Sequence, residues 1–378
     1  MLLEGIFAAV PTPFYSDERV YLRKLEANIA HYSRTLLSGI LLLGSTGEAV
    51  MLDDAESRDV LRVAAEAAAP EKVLIAGVAR ERQLPRLAAK SFLKQRNEHQ
   101  KLGAPGPGSP RTGPRSRGGD PSHLGTGEEK KDVVRPVLLW PDTWNNYYHP
   151  QALSGAESVL SSAGFAVETP RRHLCCGRPL YDFGLLSAAR SYLARVLDEM
   201  TAQIEAGLPF VFLEPSCASV FRDELLELFP TDPRARRLSR QVWLLADFLA
   251  AERPGFAAPR LDGKRILVHG HCHHKAVFGG AGNEIALLRS TGAEVELIRA
   301  GCCGMAGPFG FEADKFGVSR IIANHELLPA VQAAGPEVIV VADGFSCREQ
   351  IEQLGHRRAV HFAEVLAQGA GSAVVSDR

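Results

Sequence analysis

The chain has 378 residues, is 46% hydrophobic and 23% charged, and carries a formal net charge of −1 at pH 7. These values exclude a wholly disordered chain, a collagen and a coiled-coil rod, and the lack of net basic charge gives no reason to expect nucleic acid as a partner. The charge is uneven: Arg82 to Lys131 carries a local +7, which leaves −8 on the rest.

Residues 1–81 predict the opening of a parallel α/β fold. GIFAAVPTPF reads as a short apolar strand closed by proline, and LRKLEANIAHYSRTLL has helical periodicity. GILLLGS is a buried-strand run, DDAESRDVLRVAAEAAA an Ala-rich helix with Asp53 as its N-cap, and KVLIAGVA a third strand. Three strands cannot close a barrel, so an open sheet edge is expected. From Gly103 to Gly127, Gly and Pro fill just over half of the positions. Such a composition cannot bury enough apolar surface to offset its ordering entropy, so 82–132 reads as a Gly/Pro/Arg-rich disordered linker. The stretch Gly103–Gly127 has no aromatic residue on which bases would stack. The N-terminus lacks a basic leader region, and GILLLG is too short to span a bilayer, so a cytoplasmic protein without an integral membrane segment is expected.

Beyond Arg135, strand-like runs (RPVLLW, FAVETP, PFVFLEP, RILVHG, AEVELIRA, EVIVVADG) alternate with helical ones. The helical runs are HPQALSGAESVLSSAG, GLLSAARSYLARVLDEMTAQIEAG, LSRQVWLLADFLAAE, GNEIALLRSTG and FEADKFGVSRIIANHELLPAVQAAG. The alternation predicts a parallel-sheet α/β domain over 133–378. All seven cysteines lie here: Cys175, Cys176, Cys217, Cys272, Cys302, Cys303 and Cys347. Two vicinal pairs among them are each followed by glycine. The step from Cys175 to Cys302 nearly equals the step from Cys217 to Cys347, and the same step back from Cys272 falls on Asp142. The domain therefore reads as a duplication with a repeat length of about 130 residues. Loops beyond the strand ends of such sheets converge, so distant thiols can meet. Thiolates in this pattern suit iron–sulfur clusters or zinc; isolated buried thiols would need neither. His269, His271, His273 and His274 surround Cys272 as polar donors or alternative ligands.

Two resemblances follow from these motifs. TPF at Thr12–Phe14 and GSTGEAVMLDDAE at Gly44–Glu56 resemble the dihydrodipicolinate synthase and N-acetylneuraminate lyase family of (β/α)8 barrels. The resemblance implies a truncated barrel fragment in which Ser45 and Thr46 are vestigial carboxylate-binding residues. The family's Schiff-base lysine has no counterpart in the remaining sequence, so lyase activity is not expected. A keto-acid lyase and a non-catalytic fusion product stand as the alternative functions.

The motifs WPDTWNNYYHP, HLCCGRPLYDFG, LEPSCASVFRDELLELFP, HGHCHHKAVFG, GCCGMAGPFGFE and ADGFSCREQI resemble the cysteine-rich CCG domain over 133–368. That domain occurs in heterodisulfide reductase B subunits, glycolate oxidase iron–sulfur subunits and the iron–sulfur half of FAD-linked oxidases. The resemblance implies an oxidoreductase component that transfers electrons through one or two [4Fe-4S]-type clusters held by the seven cysteines, with zinc as the alternative metal. Cys272, Cys302, Cys303 and Cys347 make a complete set. Cys175, Cys176 and Cys217 have Asp142 where the pattern has a fourth cysteine, so Asp142, His271 and His273 are further candidate ligands. FAD would sit on a partner flavoprotein in trans, with a downstream electron acceptor, and any inner-membrane attachment would run through a partner. The expected fold class is thus α/β: a duplicated parallel-sheet CCG domain preceded by an incomplete (β/α)8-barrel fragment and a disordered linker.

Overall fold

The structure, a computed structural model, describes residues 6–15, 17, 19–43, 52, 54–76, 82, 85, 87–101 and 135–368. Every strand pairing within its sheets is parallel. The chain divides into two compact units. One is Met1–Pro85 with Cys302–His325; the other is Arg86–Gly301 with Glu326–Arg378.

In the first unit, strands β1 (Phe7–Ala9), β2 (Gly39–Leu42) and β3 (Val73–Ala76) form a sheet in sequence order. The helices Leu22–Ser33 and Asp54–Ala67 connect them. Leu25 and Ile29, one helical turn apart, are buried with Val10, Ile40, Leu42, Val60 and Ala64. Among the described residues β1 and β3 each have one strand neighbour, so this sheet is open, as three strands require. Asp53 and the turn with Ser45, Thr46 and Glu48 lie outside the described residues. The same unit contains a 3-10 turn at Phe309–Phe311 and the helix Ala313–His325.

The second unit carries two four-stranded sheets. Strands β4 (Arg135–Leu139), β5 (Phe165–Glu168), β6 (Phe210–Phe212) and β7 (Val242–Leu244) are ordered β5-β4-β6-β7. Strands β8 (Arg265–His269), β9 (Glu294–Leu297), β10 (Ile339–Ala342) and β11 (Ala359–Val360) are ordered β9-β8-β10-β11. Both sheets thus have the strand order 2-1-3-4, and β8 begins one repeat length after β4. The duplication legible in the cysteine spacing is a duplication of architecture. Val137 and Leu139 point into a core that also holds Ile266, Val268 and Val341 of the other sheet. Leu138 and Trp140 point the opposite way, into a second core with Phe210, Phe212 and Phe221. Strands buried on both faces explain why these runs read as continuously apolar.

Three features differ from the sequence expectation. The helix expected over LSRQVWLLADFLAAE is broken: Pro233–Gln241 is helical, Val242–Leu244 is the edge strand β7, and Leu245–Glu252 is helical again. Pairing of Val242, Trp243 and Leu244 with Phe210, Val211 and Phe212 supplies the hydrogen bonds that outweigh local helix periodicity. The two long helical runs each split, at Met200 and at Glu326. Finally, the helix Phe92–Lys101 falls inside the range read as linker. Phe92 is buried in the second unit's core, and the Leu93 N–H donates to Asn146 Oδ1 at 3.0 Å. The stretch Gly103–Gly127, whose composition carried the linker argument, lies outside the described residues.

Candidate metal centre

The carboxyl ends of β4, β6, β8 and β10 release the chain into Asp142, Glu214, His271 and Gly344, each the N-cap of a helix. Parallel strands deliver all these ends to one edge of their sheet. Polar contacts then tie the two repeats together. Glu214 Oε2 accepts the Phe345 N–H at 2.7 Å, and its Oε1 lies 3.8 Å from His271 Nε2. Arg348 donates to Asn145 Oδ1 at 2.8 Å and to the Ala342 and Asp343 carbonyls at 3.1 and 2.6 Å. Trp144 stacks on Phe345 with ring centres 4.3 Å apart.

The first repeat gathers three free thiols. Cys176 and Cys217 are buried, with their sulfurs 3.2 Å apart, and Cys175 is half-buried beside them. Gly177 makes the turn possible: its φ of +74° is a left-handed conformation that favours glycine, and its N–H donates to Cys175 Sγ at 3.5 Å. Tyr192 Oη accepts the Cys175 N–H at 2.9 Å. Arg178 fastens this turn to the Cys217 helix by donating to the Ser216 carbonyl at 2.7 Å and to Ser219 Oγ at 2.8 Å.

The electrostatics of this cluster disfavour free thiolates. A hydrogen bond to Cys176 and burial push the Cys175 thiol well above its ordinary range. A hydrogen bond with Cys175 lowers Cys176, but its contact with Cys217 and burial outweigh that and push it well up. Cys217 is lowered by Cys176 but raised more by burial and by the carboxylates of Asp142 and Glu214, reaching about 12. Asp142 is itself pushed up to about 7 by burial and by Glu214. Both Asp142 oxygens are occupied: Oδ1 accepts the Asn145 N–H and Oδ2 accepts from Asn145 Nδ2, each at 2.9 Å. Asp142 therefore serves as a helix cap in this structure.

In the second repeat, His271 caps the helix Cys272–Val277 by accepting the His273 N–H at 3.1 Å. Cys272 Sγ lies 4.0 Å from His271 Nδ1 and 3.8 Å from His273 Nδ1. Among the described residues, His271, Cys272 and His273 are the group of three whose ligand atoms all lie within 4.8 Å of one another. Gly344 sits where a Cβ would overlap the His271 ring and lie 3.3 Å from Cys347 Sγ, so the helices of β8 and β10 close on each other here. His269, 1% exposed, has no hydrogen-bond partner at either ring nitrogen among the described residues.

Cys302 and Cys303 belong to the first unit. They repeat the local geometry of the other pair: Gly304 has a φ of +88°, and its N–H donates to Cys302 Sγ at 3.3 Å. The 3-10 turn at PFGF folds back on Met305, with the Gly310 N–H donating to the Met305 carbonyl at 2.8 Å.

The donor chemistry fits a soft, thiophilic metal centre. Cys175, Cys176 and Cys217 are brought together unbonded, in surroundings that keep them protonated unless a cation neutralises them, and the Gly177 and Gly304 N–H groups are aimed at sulfur. Sequence reasoning missed Glu214, Arg178, Asn145 and Arg348. One signal was available for Glu214: it occupies the position that Gly344 holds one repeat later.

Comparisons with known proteins agree with this geometry. Residues 266–352 match the profile of the cysteine-rich CCG domain, and residues 2–81 that of the dihydrodipicolinate synthetase family. The anaerobic glycerol-3-phosphate dehydrogenase C subunit of Escherichia coli (strain K12) is 28% identical over 239 residues, covering 61% of this chain and 58% of that protein. D-2-hydroxyglutarate dehydrogenase of Pseudomonas putida is 27% identical over 237 residues, covering 62% of this chain and 22% of that protein. Lactate utilization protein A of Bacillus velezensis is 27% identical over 219 residues, covering 55% of this chain and 89% of that protein. The chain thus spans less than two thirds of the first two relatives. Among the described residues, no helix is long and apolar enough to cross a membrane.

Proposed function

We propose that the cysteine-rich region is an iron–sulfur electron-transfer module of a FAD-linked 2-hydroxyacid dehydrogenase or heterodisulfide reductase-like oxidoreductase. The observation that carries this reading is the gathering of Cys175, Cys176 and Cys217 at the strand ends of a duplicated parallel sheet. Relatives named as a dehydrogenase and a dehydrogenase subunit, and the cysteine-rich profile, support it.

Cys175, Cys176 and Cys217 would hold one centre; by the sequence repeat, Cys272, Cys302, Cys303 and Cys347 are the corresponding set. Asp142, His271 and His273 are secondary candidates, Asp142 the weaker because Asn145 occupies both its oxygens. A bound iron–sulfur cluster supplies reversible one-electron uptake. The chain's own residues hold the thiolates, direct the Gly177 and Gly304 N–H groups at sulfur, and exclude water by burying Cys176, Cys217, Cys303 and Cys347. The electron donor would be a flavin on a partner flavoprotein, and the acceptor a further redox partner.

The test is anaerobic reconstitution of the full chain with iron and sulfide. The reading predicts a broad visible absorption that bleaches with dithionite and with photoreduced FAD. Uptake of zinc alone under the same conditions, with no sulfide incorporated, would overturn it.

A further inference from the structure

Arg82 is unusual in the first unit. It is 4% exposed. Its Nε donates to the Gly310 carbonyl at 2.9 Å and its Nη2 to Ser319 Oγ at 3.1 Å. The guanidinium carbon lies 5.0 Å from the centre of the Phe316 ring and 5.8 Å from that of Phe311. An arginine from the segment before Pro85 is therefore held by groups far along the chain, within one compact unit.

The receiving surface is built for this shape. Ser319 is fully buried, and Phe316 is 6% exposed. Gly310 lies where a Cβ would come within 2.8 Å of Ser319 Oγ and 2.9 Å of Met305 Sδ. At Gly304 a Cβ would overlap the Ser319 carbonyl and lie 3.1 Å from Ile322 Cβ. Two glycines thus let the turn after Cys302–Cys303 close onto the helix bearing Ser319. The result pairs two acceptors with two aromatic rings. A planar guanidinium can donate from two nitrogens and stack at once, whereas an ammonium offers a compact, strongly hydrated charge.

We propose that the Gly310 carbonyl, Ser319 Oγ and the rings of Phe311 and Phe316 form a guanidinium-binding cage. Its ligand is an arginine side chain, supplied in this chain by Arg82. The filled cage is a latch that fastens the N-terminal segment to the element carrying Cys302 and Cys303. This inference does not depend on which metal the cysteines bind.

The test is hydrogen exchange, read by mass spectrometry, on the metal-free full chain. Arg82→Ala should speed exchange across 304–323 by about tenfold, from loss of a desolvated, charge-assisted contact. Ethylguanidinium should restore protection to the Arg82→Ala protein, ethylammonium should not, and Arg82→Lys should resemble Arg82→Ala. Unchanged exchange in Arg82→Ala, or equal rescue by the two cations, would overturn the proposal. If Arg82→Ala fails to fold, Ser319→Ala decides: it removes one acceptor and should speed exchange over the same peptides. Wild-type protection of those peptides in Ser319→Ala would refute the cage.

Discussion

Gly344→Ala probes how tightly the helices after β8 and β10 close on each other. Gly344 has a φ of −70° and ψ of 132°, which alanine adopts freely, so backbone strain does not enter. The perturbation is steric. The added methyl would overlap the His271 ring, lie 2.7 Å from its Nε2 and lie 3.3 Å from Cys347 Sγ. His271 is 5% exposed and caps its helix through Nδ1, so it has little room to retreat. Overpacking of this kind costs about 1–3 kcal/mol, and a displaced cap adds ~1 kcal/mol. A total near 3 kcal/mol corresponds to a fall of roughly 6–12 °C in the melting temperature of a domain of this size. The assay is thermal unfolding of metal-free wild type, Gly344→Ala, His271→Ala and the double variant. Removing the ring also removes the clash, so the double variant should be more stable than the sum of the single effects predicts, by about 1–3 kcal/mol. Strict additivity would refute the claim that Gly344 and His271 are in contact.

Further predictions follow from the same structure. Arg348 is 1% exposed and donates three hydrogen bonds, so Arg348→Met should cost about 3–5 kcal/mol, read as a melting temperature roughly 10 °C lower; a change under about 2 °C would count against its bridging role. Gly304→Ala combines a φ of +88° with overlap of the Ser319 carbonyl and should cost more than about 2 kcal/mol in urea unfolding, whereas Gly301→Ala, whose Cβ would meet nothing within 4 Å, should cost under about 0.5 kcal/mol. Burial, followed by the Arg348 charge, lowers the pKa of His361 to about 4. Its folded value lies below its unfolded one, so its contribution is present above pH ~6.5 and is lost as pH falls toward 4. Asp343, raised by burial to about 6, lies 3.3 Å from His361 and has the opposite slope, but it is common to wild type and variant. The stability gap between wild type and His361→Gln should therefore narrow by ~3 kcal/mol between pH 7 and pH 4. A constant gap in urea titrations would contradict a buried neutral imidazole.

Much of this architecture was legible in the sequence, for identifiable reasons. Apolar runs such as RPVLLW and RILVHG are buried on both faces, which fixes them as interior parallel strands. A glycine follows each vicinal cysteine pair, where a tight turn needs one, and Gly177 and Gly304 both take a left-handed conformation there. The nearly constant step between the two cysteine sets read as a duplication, and the two sheets share one strand order. Two of the edge strands were harder: β7 is three residues long inside a helix-like run, and β11 is two. Their identity comes from pairing with β6 and β10, which no local window contains. The polar bridge was hidden for a related reason. Glu214, Asn145 and Arg348 gain meaning only when two repeats distant in sequence face each other, as in the bond between Asn145 and Arg348. Asp142 shows the converse. The repeat aligns it with Cys272, but its local bonds to Asn145 make it a cap.

The central claim is that the gathered thiols hold an iron–sulfur centre. Its most direct test is iron and acid-labile sulfide analysis, with EPR after dithionite reduction, on anaerobically reconstituted wild type and Cys217→Ser. The account predicts iron and sulfide in comparable amounts and a reduced-cluster signal in the wild type, both diminished in Cys217→Ser. A wild-type protein that binds zinc, incorporates no sulfide and stays EPR-silent would contradict it.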